Sequence, residues 1–248
     1  HDGWTDVYVG NDFVQPDELY INNKNGTFTD QLGAYFRHTS QHTMGTDLND
    51  FDNDGLVDLF GADMLGEKNA RQKLFIAVNQ QSNYSTMIKN GYFEPVVRNV
   101  LQRANGNGTF SDVGCIAGVY KTDWSWSGLM VDLDNDGLRD LHVTNGYRRE
   151  TNNRDFVDYI LPEIGRAAGG GKKLSEIYPN LDEFLGQIPT TKVRNYVFAN
   201  KGNWQFENMG GKWMTMPGSW SCGAVWADLD LDGDLDLVTN NLEEPAYV

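Results

Sequence analysis

The 248-residue chain is 40% hydrophobic, holds 27 Gly and carries a formal net charge of −15. Such a composition supports a sizeable core and argues against wholesale disorder. No apolar run reaches the roughly 18 residues of a membrane-spanning helix, and so acidic a chain would repel a nucleic-acid backbone. The acid is also unevenly divided, with 25 Asp against 10 Glu and 24 Asn beside them. Asp and Asn belong in turns, and Asp holds hard cations on a short arm.

In chain order, the first feature is half a motif. His1-Asp2-Gly3-Trp4-Thr5-Asp6 fits the end of a pattern, D-x-D-x-D-G-x-x-D, that recurs whole further on. Because position 1 is His, a missing upstream targeting segment is expected. Val7-Tyr8-Val9 reads as a strand. Residues 19–30 contain Asn25-Gly26, a two-residue hairpin signal, and Phe28 as a core anchor. The Asn-Gly-Thr triplets here and at Asn107 are also glycosylation sequons, but the hairpin alone explains them. His38 and His42 have the spacing of a helical zinc pair. Their Ser/Thr neighbours favour strand or loop and no third ligand is evident, so a structural role is expected. Gly45 precedes the first complete copy, Asp50-Phe51-Asp52-Asn53-Asp54-Gly55-Leu56-Val57-Asp58, and Leu59-Phe60-Gly61-Ala62 reads as the strand after it.

Residues 66–99 read as a helical insertion, and residues 101–112 repeat the hairpin with Asn107-Gly108 and Phe110. Cys115 reads as core; spacing leaves its pairing with Cys222 open. Thr122-Asp123-Trp124-Ser125-Trp126 is the best candidate for a surface-facing aromatic patch. Gly128 then precedes the second copy, Asp132-Leu133-Asp134-Asn135-Asp136-Gly137-Leu138-Arg139-Asp140, followed by a strand at Leu141-His142-Val143-Thr144. Residues 148–194 read as a second helical insertion, with Gly169-Gly170-Gly171 as a flexible link. A looser hairpin with Phe206 leads to Gly223. The third copy follows, Asp228-Leu229-Asp230-Leu231-Asp232-Gly233-Asp234-Leu235-Asp236, with a strand at Leu237-Val238-Thr239.

The spacing has a chemical reason. Asp at positions 1, 3 and 5 can aim three carboxylates at one centre, and Gly at position 6 permits the sharp turn. Position 7 can offer a backbone carbonyl and Asp at position 9 can close the shell. All-oxygen donors on a flexible loop suit Ca²⁺ better than Zn²⁺, which prefers Cys and His, or Mg²⁺, which dehydrates reluctantly. Without a cation the carboxylates repel one another. The candidate calcium ligands are therefore Asp50, Asp52, Asp54, Leu56 and Asp58; Asp132, Asp134, Asp136, Leu138 and Asp140; Asp228, Asp230, Asp232, Asp234 and Asp236; and Asp2 and Asp6 of the partial copy. An EF-hand is excluded, because position 12 is Gly61, Val143 or Thr239 rather than Glu, and strands rather than helices follow.

Each unit reads as strand, Asp loop, strand, connection, strand, Asn-Gly turn, strand. Four antiparallel strands per repeat make a propeller blade. The expected fold is therefore all-β: a calcium-binding β-propeller fragment spanning residues 1–248, of three to four blades, with the two helical insertions.

The loops, Asn-Gly-x-Phe hairpins and small-residue strands together resemble the FG-GAP/VCBS repeat family, which forms the integrin α-type β-propeller. Residues 35–45, 122–126 and 227–237 look more narrowly like surface VCBS proteins of Bacteroidota, related to the ASPIC/UnbV and cartilage-acidic-protein group. The resemblance implies calcium at the loop aspartates and export to the bacterial surface, outer-membrane-associated and often lipid-anchored. It implies no activity, and the helical insertions depart from a plain propeller. The functional expectation is a non-catalytic surface propeller that binds protein or glycan ligands. The alternatives are an accessory subunit of an outer-membrane complex or a calcium-dependent glycan-active enzyme. No G-x-S-x-G elbow appears, and no acid–base constellation stands out from the loop carboxylates.

Overall fold

The computed structural model describes residues 2–12, 15–75, 81–91, 93–171 and 173–248. The fold is mostly β, built from antiparallel sheets that follow one another along the chain. The first sheet contains Val7–Val9, Glu18–Asn22 and Phe28–Asp30. The second orders Gly45–Asn49, Asp58–Ala62, Val100–Ala104 and Phe110–Asp112 side by side. The third repeats that order with Asp123–Val131, Asp140–Asn145, Tyr196–Asn200 and Phe206–Asn208, and adds the short Met64–Leu65 at its edge. A hairpin of Ser221–Ala227 and Asp236–Asn241 follows.

The sheets pack through their first strands, with Asp123–Val131 touching both Gly45–Asn49 and Ser221–Ala227. Glycine makes this approach feasible. A Cβ on Gly128 would overlap the Phe60 ring, and one on Gly45 would overlap the Trp126 carbonyl. Gly223, on the last hairpin, faces open space. The second strands lie between neighbouring sheets, so Asp58–Ala62 and Asp140–Asn145 are buried along their whole length. Two covered faces explain why polar and apolar positions alike are buried along these strands, Asp140, His142 and Thr144 included. The core between the second and third sheets includes Phe51, Phe60, Leu101, Val119, Met130 and Val143.

Topology separates two ends. Every Asp loop joins a first strand to a second, and the 3–4 hairpins return to that same end. The long 2–3 connections leave from the opposite end. They carry the helices Asn69–Leu74 and Gln81–Lys89, then a π-helical turn at Phe156–Ile160 continuing into Leu161–Gly169, Leu174–Ile177 and Leu181–Leu185. Lys172, beside the Gly169–Gly171 link, lies outside the described residues.

Four local expectations are corrected. Phe28, expected as a core anchor, is 46% exposed, on the edge strand of the first sheet. The Asn-Gly turns are not two-residue hairpins. The closing pairs are Asn22↔Phe28, Ala104↔Phe110 and Asn200↔Phe206, which leave loops 23–27, 105–109 and 201–205. In the first, Asn25 Oδ1 accepts from both Thr27 N and Thr27 Oγ1, so a side-chain turn replaces the tight backbone turn. Cys115 is exposed, because it sits on the outer side of the short helix Gly114–Ala117 that buries Gly114 and Ala117. The stretch 122–126 is an inner edge rather than a surface patch. Trp124 is 9% exposed, stacked on Tyr147 at 4.0 Å and edge-on to Phe75 at 5.4 Å. Trp126 Nε1 donates to the Gly146 carbonyl at 2.5 Å. The exposed Trp are instead Trp4, Trp204, Trp213 and Trp226.

Candidate metal centres

Each complete loop wraps in the same way. The first Asp accepts the backbone N–H of position 6: Asp50 from Gly55 at 2.8 Å, Asp132 from Gly137 at 2.9 Å and Asp228 from Gly233 at 3.2 Å. Those glycines have φ of 87°, 88° and 99°, which a side chain would strain. Position 4 is also left-handed, at Asn53, Asn135 and Leu231. Asn tolerates that conformation better than most residues, whereas Leu231 pays for it and is 86% exposed.

The wrap gathers carboxylates. Asp50, Asp52 and Asp58 each place one oxygen within 4.8 Å of the others; so do Asp132, Asp134 and Asp136, and Asp228, Asp230 and Asp236. Calcium binds oxygen at about 2.3–2.6 Å, so donors on opposite sides of one ion lie about 5 Å apart. The spacing fits a single ion per loop. Two oxygens, Asp52 Oδ1 and Asp228 Oδ1, are buried with no hydrogen-bond partner among the described residues. A buried, unsatisfied carboxylate oxygen is costly, and a cation is the natural way to satisfy it. The donor set and these orphaned oxygens fit a hard divalent cation.

The candidate residues, inside the trios and outside them, also make hydrogen bonds to the backbone. Asp58 sits at position 9 and accepts Phe51 N and Ala104 N, at 3.1 and 2.8 Å. Asp140 accepts Leu133 N and Asn200 N, both at 2.9 Å, and lies outside its loop's trio. Asp6 accepts Asn22 N at 2.8 Å, the same fastening to the third strand. Asp2 accepts Trp4 N and pairs with Lys24 at 2.9 Å. Asp236 accepts Leu229 N at 2.9 Å. Leu56 and Leu138 donate their backbone N–H groups to Asp54 and Asp136. Asp232 accepts Asp234 N. Burial foremost, then the charges of Asp52 and Asp54, push Asp58 up to about 6. Burial likewise raises Asp140, with Asp134 and Asp136 adding to it.

Two features were not foreseen from the motif. Arg103, on the third strand of the second sheet, donates from Nε to Asp52 at 2.5 Å and pairs with Asp54. Its guanidinium also lies over the Trp204 ring, whose Nε1 donates to Asp52. This internal cation occupies Asp54, which stays outside the first trio. The equivalent third-strand positions in the first and third sheets are Ile21 and Ala199; Asp132 of the second loop instead lies 4.0 Å from Arg139 of its own loop. Second, the loops are linked in series, Asn53 to Gly137 and Asn135 to Asp234. Asn at position 4 of two loops was the available sign of this linkage.

The histidines serve structure. His38 pairs with Asp112 at 3.0 Å and His42 with Asp12 at 2.9 Å, on separate carboxylates. His142 is buried beside Thr239, and burial pushes its imidazole down to about 4. Among the described residues no helix is long and apolar enough to cross a membrane.

The FG-GAP-like repeat family model matches residues 1–61 and 181–239. The matched stretches hold the partial loop, the first complete loop and the whole of the third with its leading strand. This supports an FG-GAP repeat protein. No curated protein matches the chain.

Proposed function

We propose that this chain is a calcium-binding segment of a β-propeller and works as a non-catalytic binding scaffold outside the cell. The observation that carries this reading is the trio of carboxylate oxygens in each of three loops, all at one end of the sheets. Successive antiparallel sheets packed through their first strands support propeller blades, with the N-terminal sheet and the C-terminal hairpin as partial ones. Calcium at the loops would tie each first strand to its second and cut the formal charge from −15 to −9 with three sites filled. Extracellular calcium modules bind at roughly 10⁻⁴–10⁻³ M, which matches a bacterial surface better than a cytoplasm. Kinship with Bacteroidota surface proteins is part of the same proposal and rests on residues 35–45, 122–126 and 227–237.

Thermal unfolding in EDTA, then with Ca²⁺ or Mg²⁺ added, tests the reading. A Ca²⁺-specific rise in melting temperature is expected, since a ligand of the folded state alone stabilises it by mass action. No rise in a well-folded sample overturns it.

A further inference from the structure

The end of the sheets opposite the Asp loops carries a cavity of about 360 Å³. Glu67, Lys68 and Arg71 from the first 2–3 connection line it together with residues 191–196 from the return of the second. Asp123–Val131 places Asp123 at this end and runs to the second Asp loop at the other. At about 3.3 Å per residue the two ends are roughly 25 Å apart.

The floor is a closed ionic network. Arg71 donates from Nε and Nη2 to Asp123 at 3.0 and 2.8 Å. From Nη1 it donates to Glu150 at 2.7 Å and Thr191 Oγ1 at 3.3 Å. The side chains of Asp123 and Glu150 are 5% and 1% exposed. Asp123 also holds φ at 77°, a left-handed conformation that residues other than glycine adopt infrequently. Strain of this kind gathers where the surroundings over-determine a residue's position, as at ligand sites. Arg71 and Asp123 are spent on each other; they build the floor rather than take a ligand.

The free groups lie above it. Lys192 is paired with Glu244, but exposed Lys68 and Arg194 have no ion pair among the described residues. Counted with their ion-pair partners, the four cations at the cavity meet four carboxylates, Glu67, Asp123, Glu150 and Glu244, so the cations left to meet an anion are Lys68 and Arg194. Glu67 lies beside Tyr196 and offers acceptor oxygens, and Asn208, whose Oδ1 accepts from Gly210 N at 2.8 Å, keeps its Nδ2 donors without a hydrogen bond among the described residues. A bare anion would meet repulsion from Glu67, whereas a ligand with hydroxyls beside its anionic group would satisfy it.

We propose that this cavity binds a small anionic polyol, the chemistry of an acidic sugar residue, with Lys68 and Arg194 taking its carboxylate and Glu67 and Asn208 its hydroxyls. This deepens the scaffold reading by assigning it a ligand class and a face, and it needs no metal at the Asp loops.

Calorimetric titration of the whole chain in calcium buffer, with glucuronate, glucose and sodium sulfate as separate probes, tests it. Glucuronate is expected to bind and glucose not to. Lys68→Ala and Arg194→Ala should each weaken binding about tenfold with unchanged melting temperature, and Lys192→Ala should matter less. Absence of glucuronate binding, equal binding of glucose, or full affinity in the double variant overturns the site. Sulfate binding as tightly as glucuronate overturns the sugar assignment. The calcium response of the melting temperature is read separately, so failure of the cavity and failure of the metal loops are distinguishable.

Discussion

Asn53 Nδ2 donates to the Gly137 carbonyl at 2.9 Å, joining the first complete Asp loop to the second across 84 residues of sequence. One loop on, Asn135 Nδ2 donates to Asp234 Oδ1 at 2.5 Å. The loops are therefore a row, each resting on the next. The left-handed φ of 57° at both Asn is what aims the amide sideways.

Asn53→Ala should destabilise the fold by about 1–3 kcal/mol, combining a lost hydrogen bond with a left-handed residue that has lost its amide. Asn53→Gly loses the same hydrogen bond but relaxes the backbone, so it should cost less. Equilibrium urea unfolding of the pair decides. Equal losses would show that backbone conformation at this position contributes nothing.

Arg103→Met removes the guanidinium from Asp52 and Asp54. In EDTA the variant should melt lower than the parent, because the carboxylates lose their internal counter-charge. With Ca²⁺ it should gain more than the parent does, because the ion no longer competes with Arg103 at Asp52. A calcium increment equal to or smaller than the parent's would contradict a metal role for the first loop.

Gly128→Ala drives a methyl into the Phe60 ring. Overpacking of this kind costs about 1–3 kcal/mol. Gly223→Ala, one register position further from the Asp loop on the first strand of the last hairpin, meets nothing within 4 Å and should be neutral. Comparable losses at the two sites, read from denaturant midpoints, would refute the close approach of the second and third sheets.

Acidity should act oppositely on loops and core. Asp58 rises from its ordinary 3.8 to about 6, chiefly through burial, so it favours the fold below its ordinary value and that benefit fades as pH climbs through about 6. Burial lowers His142 from 6.5 to about 4, so its contribution is full above 6.5 and lost as pH falls toward 4. The His142 effect is present with or without metal. Subtracting melting profiles in EDTA from those in saturating Ca²⁺ therefore isolates the loops. The calcium increment should shrink between pH 7 and 5 as protons compete for the carboxylates. An increment independent of pH would rule out the loop aspartates as the source of the calcium effect.

The repeating Asp pattern, its glycines and the strands after it were legible because they are local. A left-handed Gly55 and a carboxylate folded back on its N–H need only neighbouring residues. The same local logic misjudged Asn25-Gly26, where Asn25 bonds Thr27 and opens a longer turn. It also misjudged Trp124, an aromatic whose exposure depends on whether Phe75 and Tyr147 arrive from elsewhere.

By itself, then, the sequence determined the unit: which nine residues wrap, and which residue types can wrap them. Tertiary structure decided how units meet. It put Arg103 from another strand onto Asp52 and Asp54, seated Asn53 on Gly137, and closed Arg71 over Asp123 where the two long connections converge. The physical reason is range. Turn chemistry is paid for and returned within a few residues, whereas ion pairs and cavities form between groups that only the packed sheets bring together.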